Sequence, residues 1–399
     1  MQFSFGVDQL LTDEATLKQI SNRQIALVAH PASVTRDMTH SLDALIAAGC
    51  HIKKAFGPQH GMRGDKQDNM VESEDFLDPI HGIPVLSLYG KHRKPTAKML
   101  EDIDLILFDL QDIGCRIYTY ITTLKYFLEA GAEFGIEVWV LDRPNPAGRP
   151  VDGMRLENSQ ESFVGADPLP TRHGLTTGEL ARWFVSQNHL QLALTTIPMG
   201  GYDPNAGKMG WPDDIAWINP SPNAASVNMT RCFPGTVLLE GTTLSEGRGT
   251  TIPLEVIGAP DFPAREILGK LKHDAPQWCQ GASLRVCTFE PTFHKHVHQL
   301  CFGIQVHTDN GQYEHEGFLP YRLIAGCLKV LRELRPEYDL WRRHEYEYEL
   351  DRLPIDVING GPGLRLWIDD PSQSFDDFDQ PLHKALTDWV VERKPFLLY

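Results

Sequence analysis

Asp104-Leu105-Ile106-Leu107-Phe108-Asp109-Leu110 is a strongly apolar run closed by acidic and polar residues, and together with the segment after it this run decides the fold. After Gln111-Asp112-Ile113-Gly114-Cys115-Arg116 comes a stretch around Tyr118 to Phe134 that reads as a helix. Glu137 to Leu141 then reads as another strand, followed by Asp142-Arg143-Pro144-Asn145-Pro146-Ala147-Gly148. Strand, helix and strand in that order form the unit of a parallel sheet. The same alternation holds towards the N-terminus. Gln24 to Ala29 is a buried strand ended by His30-Pro31-Ala32-Ser33. Thr39 to Ala48 is a helix with Leu42, Leu45 and Ile46 on one face and Gly49 as a stop. His51 to Phe56 is the next strand. Ile83 to Leu88 is a short one whose early Pro84 marks its first residue or a sheet edge. The expected class is α/β, with a Rossmann-like N-terminal domain built on a mostly parallel sheet.

Open sheets of this kind bind ligands at the carboxyl ends of their strands. Polar loops follow the strands here, so Gln59, His60 and Arg63, then Asp109 and Asp112, then Asp142 and Arg143 can converge at that edge. Phe56-Gly57-Pro58-Gln59-His60-Gly61-Met62-Arg63-Gly64 stands out, with three glycines and a proline just past a strand. Tyr89-Gly90-Lys91-His92-Arg93-Lys94-Pro95 is a basic loop suited to an anion or to solvent. No GxGxxG follows the first strand, so the layout does not imply a dinucleotide.

Further along, Thr176 and Glu179 are spaced as a capping box ahead of Leu180, Trp183 and Phe184. Met199 to Asn223 is rich in Gly, Pro and Trp; Trp211 and Trp217 suit either a sugar face or the core. Glu240-Gly241-Thr242 through Glu246-Gly247-Arg248 carries two carboxylates and a cation, either a site or a structural ion pair. Arg285 to Phe289 and Cys301 to His307 read as strands of a smaller α+β domain, and Leu319 to Leu334 as a helix. His294-Lys295-His296-Val297-His298 lacks the companions of a zinc signature. His344 to Tyr348 is charged and aromatic with no catalytic pattern. Ser374 to Phe378 reads as an acidic loop, and Pro381 to Arg393 as a terminal helix with Pro in its first turn. The expected division is residues 1–250 for the Rossmann-like domain and 251–399 for an auxiliary domain that contributes to a cleft between them.

Composition narrows the function classes. Lys plus Arg is 37 against 53 for Asp plus Glu, a formal charge of −16, which argues against a broad nucleic-acid surface. Seven scattered cysteines with no CxxC fit reduced thiols. No signal peptide and no membrane-length apolar run is visible, so the expected location is the cytoplasm, without membrane insertion.

The chain closely resembles the exo-β-N-acetylmuramidase (NamZ) family over nearly its whole length. The matching blocks include Gly57-Pro58-Gln59-His60-Gly61, Ser87-Leu88-Tyr89-Gly90 with Lys94-Pro95, Asp109-Leu110-Gln111-Asp112-Ile113-Gly114 with Arg116, and Leu141 to Pro146. They continue through Phe163-Val164-Gly165, Arg172-His173-Gly174, Ser221-Pro222-Asn223 and Glu240 to Thr251. The resemblance implies a two-domain glycoside hydrolase of cell-wall turnover that removes N-acetylmuramic acid from the non-reducing end of peptidoglycan fragments. It implies position 59 as catalytic, and Gln59, His60, Asp112, Glu240 and Glu246 are the catalytic candidates. Arg63, Tyr89, Lys94, Arg116, Tyr118, Arg143, Asn145, His173, Asn223 and Arg248 are the candidates for substrate binding, the basic ones for the lactyl carboxylate. No cofactor or metal is expected, and the chain is read as a monomer or weak homo-oligomer. One position departs from the pattern: the family's leading catalytic glutamate is Gln59 here. An amide cannot serve as general acid or base. An introduced substitution, another carboxylate at work (Glu246, Glu240 or Asp112), or a muropeptide-binding protein with weak or no hydrolysis would each account for it.

Overall fold

The computed structural model describes residues 2–62, 72–205 and 210–399. The strands of its first half are Ile25–Val28 (β1), Ile52–Gly57 (β2), Phe76–Leu77 (β3), Pro84–Ser87 (β4), Leu105–Phe108 (β5) and Glu137–Leu141 (β6). Asp152–Arg155 (β7), Pro170–Arg172 (β8) and Leu194–Ile197 (β9) come after them. Seven of the strands form one sheet in the order β3-β4-β2-β1-β5-β6-β9, while β7 and β8 pair separately. Every pairing in the large sheet is parallel except β3 with β4. Without β3, the parallel strands taken in chain order lie as 3-2-1-4-5-6, the Rossmann arrangement. The order reverses between β1 and β5, so the ligand crevice is expected off their carboxyl ends and those of the adjoining strands.

Side-chain alternation explains how this sheet is buried. All of β1 and β5 is inaccessible to solvent. Ile25, Leu27, Leu105 and Leu107 face one layer, with Leu42 and Leu45 of the helix Ser41–Ala47. Ala26, Val28, Ile106 and Phe108 face the other, with Leu124, Phe127 and Leu128 of the helix Tyr120–Phe134. That second layer continues without a break into the C-terminal part. There Val256–Ala259 (β10), Ser283–Phe289 (β11) and Cys301–His307 (β12) form an antiparallel sheet ordered β10-β12-β11; the helix Ala264–Asp274 packs on β12, and the helix Pro320–Leu334 packs on that helix.

The capping box expected at Thr176 is formed. Thr176 accepts from the Glu179 amide, and the Glu179 carboxylate returns a bond to the Thr176 amide. The terminal helix differs from expectation: it runs Phe375–Arg393, so Ser374 to Phe378 is a helix start and not a loop. Ser374 and Asp377 make a second capping box, which fixes the start and leaves Pro381 inside the helix. Trp211 and Trp217 pack edge to face at 4.8 Å, and their indole N–H groups donate to the carbonyls of Ile215 and Ala224. They support the loop that ends in Asn223 and do not line the carboxylate pocket beside the sheet.

Candidate active site

The reversal point itself is filled by structure. Arg143 donates twice to Asp109, at 2.6 and 2.9 Å, and His30 accepts from the Gln111 amide at 3.0 Å. Burial drives the His30 imidazole down to about 3, so it stays neutral. The open pocket lies beside this plug, off β2 and β5, between the Gln59–His60 turn and residues Ile117 to Tyr120. Ser221, Asn223, Glu240, Arg248, Tyr346 and Glu347 close it from later in the chain.

The turn after β2 is made for a fixed presentation. The Gly61 amide donates to the Pro58 carbonyl at 2.8 Å, closing a four-residue turn with His60 at φ 70°. A Cβ on Gly57 would stand 2.6 Å from the Met62 nitrogen, so only glycine lets the chain fold back there. Gln59 is buried, with the Thr119 hydroxyl donating to its carbonyl oxygen at 2.7 Å. Its amide nitrogen donates to Glu347 at 3.1 Å. The amide is thus oriented on both sides.

Glu347 is the residue that sequence reading missed. Tyr346 and Glu349 exchange backbone hydrogen bonds at 3.2 and 2.9 Å, which makes a two-residue hairpin with Glu347 and Tyr348 at its tip. Their φ values are 46° and 72°. Such turns demand left-handed backbone at both central positions and usually take Asn-Gly. A side chain there costs about 1–2 kcal/mol per residue. The strained tip carries the Glu347 carboxyl inward, leaving the residue 3% exposed. Tyr89, itself fully buried, donates to it at 3.0 Å. Burial pushes this carboxyl up to about 7; the hydrogen bonds from Tyr89 and Gln59 oppose the rise, the negative charge of Glu240 adds to it, and the charge of Arg93 opposes it. Tyr348 turns outward and lies under the Arg93 guanidinium, 3.5 Å from its ring centre. Nothing in the His344–Tyr348 stretch announces this; the only sequence signal is one glutamate between two tyrosines, which is no signature.

The remaining carboxylates are held by cations. Glu240 lines the pocket, paired with Arg248 at 2.5 Å and accepting from the Tyr346 hydroxyl at 2.6 Å. Glu246 lies behind it, fully buried, 2.7 Å from Lys295, 3.1 Å from Arg248 and 3.5 Å from His294. Burial raises the Glu246 carboxyl, but Lys295, Arg248 and His294 outweigh it and hold it at about 2. The histidine-rich loop therefore works as a strap. Lys295 also donates to the carbonyls of Leu239 and Thr242, and His296 lies 2.8 Å from the Thr243 carbonyl.

Glu246 is depressed below its ordinary 4.5, so its contribution to stability is full above that value and is lost as pH falls towards about 2. Lys295→Met is expected to move acid unfolding to higher pH, read by circular dichroism. An unchanged acid transition would show that Lys295 is not the charge that holds Glu246.

The other candidate residues fall into two groups. Tyr118, Asn223 and Arg248 line the pocket with Gln59, His60 and Glu240, and Tyr89 reaches it through Glu347. Asp112 sits beneath, accepting from the Gly114 amide at 2.7 Å, with His173 at 3.5 Å. His173 accepts from the Leu175 amide through Nδ1, which places its proton on the nitrogen facing Asp112. Four candidates are engaged elsewhere. Arg116 donates to the carbonyls of Met154, Leu169, Ile358 and Asn359, and Arg143 holds Asp109. Asn145 ties Gly148, Leu175 and Ala147, and Lys94 pairs with Glu129 on the surface of the long helix. Arg63 lies outside the described residues.

Fold and pocket define a Rossmann-like α/β protein whose carboxylate-lined cleft is closed by a second, smaller sheet-and-helix portion. The chain belongs to the exo-β-N-acetylmuramidase NamZ family: the family's N-terminal model matches residues 25–228 and its C-terminal model residues 231–399. It is 37% identical over 398 residues to the peptidoglycan β-N-acetylmuramidase NamZ of Bacillus subtilis strain 168, covering 99% of this chain and 91% of that one. Two crystal structures of DUF1343 family proteins from Bacteroides fragilis NCTC 9343 share the fold over the whole chain and 99% of theirs. Their TM-scores are 0.84 and 0.76, at 27% and 26% identity.

Proposed function

We propose that this protein is an exo-acting glycoside hydrolase that releases N-acetylmuramic acid from the non-reducing end of peptidoglycan fragments, in cell-wall turnover or recycling. The observation that carries this reading is the pocket itself. Blocks scattered over the chain, from Gln59–His60 through Ile117–Tyr120 and Ser221–Asn223 to Glu240 and Arg248, meet around one cleft of mixed polar and apolar lining that holds two buried carboxyl groups, Glu240 and Glu347. Glycosidic cleavage needs a pair of such groups, one to protonate the leaving oxygen and one at the anomeric centre. Residues 1–250 supply most of the site; residues 251–399 deliver Tyr346 and Glu347 across the cleft. Tyr118 and Asn223 offer polar contacts to a sugar ring.

The substrate is a peptidoglycan-derived sugar, handled by a monomer or weak homo-oligomer without a cofactor. The cytoplasm is the proposed location, in keeping with seven unpaired cysteines and with no helix among the described residues long and apolar enough to cross a membrane. Incubation with a chromogenic N-acetylmuramic acid β-glycoside and with N-acetylmuramyl-N-acetylglucosamine is expected to release N-acetylmuramic acid. Folded protein that cleaves neither at any pH would sink the hydrolase reading. It would favour a muropeptide-binding role if calorimetry still showed the disaccharide bound.

A further inference from the structure

With an amide at position 59, the proton for the leaving oxygen must come from another group, and identifying that group rests on the hydrolase reading. Among the carboxyl groups near the cleft, Glu246 is fully buried behind Lys295, Arg248 and His294, and Asp112 does not line the pocket. Glu240 lines it, but with one oxygen on Arg248 and the other on Tyr346. Glu347 differs from all three. Its two oxygens accept from neutral groups, Gln59 and Tyr89, and no ion pair among the described residues includes it. Acidic side chains are almost never so deeply buried without a cation. The backbone that puts it there is left-handed at two consecutive positions, a conformation kept where the surroundings over-determine it and common at functional sites.

We propose that Glu347 is the catalytic proton donor to the glycosidic oxygen, filling the role that a glutamate at position 59 would fill. In the step, the bond between the anomeric carbon and the bridging oxygen breaks and its electron pair goes to that oxygen. The oxygen takes the Glu347 proton and leaves as the hydroxyl of the shortened glycan. Water adds its oxygen to the anomeric carbon, and the proton it sheds restores Glu347, directly or through solvent. Tyr89 and Gln59 act as positioning residues. They hold the carboxyl by donating to it, so the transferable proton is the carboxyl's own. The groups that set its titration are Tyr89 and Gln59 from the loops after the sheet strands, Glu240 behind it, and Arg93 above the neighbouring Tyr348. Its position near 7 leaves a useful protonated fraction at neutral pH.

The test uses the full chain and two substrates, N-acetylmuramyl-N-acetylglucosamine and the 2,4-dinitrophenyl β-glycoside of N-acetylmuramic acid, whose leaving group needs no proton. Glu347→Gln is expected to lose about 10²–10⁴-fold in kcat on the disaccharide, to keep most of its rate on the dinitrophenyl glycoside, and to lose the alkaline limb of the native pH profile. Calorimetry with the disaccharide separates a catalytic loss from misfolding. Three results would overturn the proposal: near-native hydrolysis of the disaccharide by Glu347→Gln, equal loss on both substrates with binding intact, or an alkaline limb unchanged in the variant. Each of these leaves the hydrolase reading standing if the native chain is active. Inactivity of the native chain overturns both.

Discussion

Arg143→Met is expected to destabilise the fold by about 3–5 kcal/mol, because it strands a buried carboxylate. Asp109 is wholly inaccessible, at the end of β5 beside β1. Its carboxylate receives both Arg143 bonds and one from the Ser41 hydroxyl. Arg143 also donates to the Val34 carbonyl at 2.9 Å, and its guanidinium lies 4.8 Å from the Phe5 ring centre. Methionine keeps most of the stem's packing but supplies no donor and no charge. Urea unfolding should show a lower midpoint at an unchanged slope. The double variant Asp109→Leu with Arg143→Met should recover much of the loss, since removing both partners leaves no orphaned charge. A single-variant cost under about 1 kcal/mol would mean that the pair behaves like a surface ion pair.

Glu347→Gln is expected to be more stable than the native chain in alkali and no more stable in acid. The sign comes from linkage. A carboxyl raised from 4.5 to about 7 on folding binds its proton more tightly in the folded state. Folding is then penalised as pH rises through that interval, by about 3 kcal/mol once the group is fully ionised in both states. The amide cannot ionise and escapes the penalty. Thermal melts of the two proteins should therefore separate between about pH 5 and pH 8, the variant melting higher at the upper end. Parallel melting curves across that range would show that Glu347 ionises as freely in the folded protein as in the unfolded one. A gain in stability paired with a loss of turnover is the usual signature of a functional group held against its own preference.

Much of both main sheets is legible in the sequence because their strands are short apolar runs between punctuating Gly and Pro residues. β6, β11 and β12 match their apolar stretches closely, and Pro84 begins β4. The strands β7, β8 and β10 are not legible in this way. Each is three or four residues long and broken by Gly or flanked by Pro, so pairing partners define them and local pattern does not. The start of the terminal helix is misplaced in the sequence reading because a strong proline signal outweighs the Ser374 and Asp377 cap seven and four residues ahead of it. In the site, motif blocks point to the right loops but not to the jobs of their side chains. Arg116 and Arg143 read as ligands for an anion because a cation in a polar loop invites that reading. Only three-dimensional placement reveals the carbonyls and carboxylate that occupy them. Glu347 is invisible for the opposite reason. Its partners, Gln59 and Tyr89, are 288 and 258 residues away in sequence.

The 3.1 Å contact between Gln59 and Glu347 also constrains how such a chain can change over time. With a carboxyl at both positions, two like charges would meet in a buried pocket, and the pair would have to share a proton, as carboxylate dyads do. With an amide at both, neither could protonate a leaving group. On the proposed role of Glu347 the two positions are coupled through this contact, so the effect of a residue at either depends on its partner. Gln59→Glu and Glu347→Gln are therefore expected to be non-additive, the double exchange differing from the sum of the two singles.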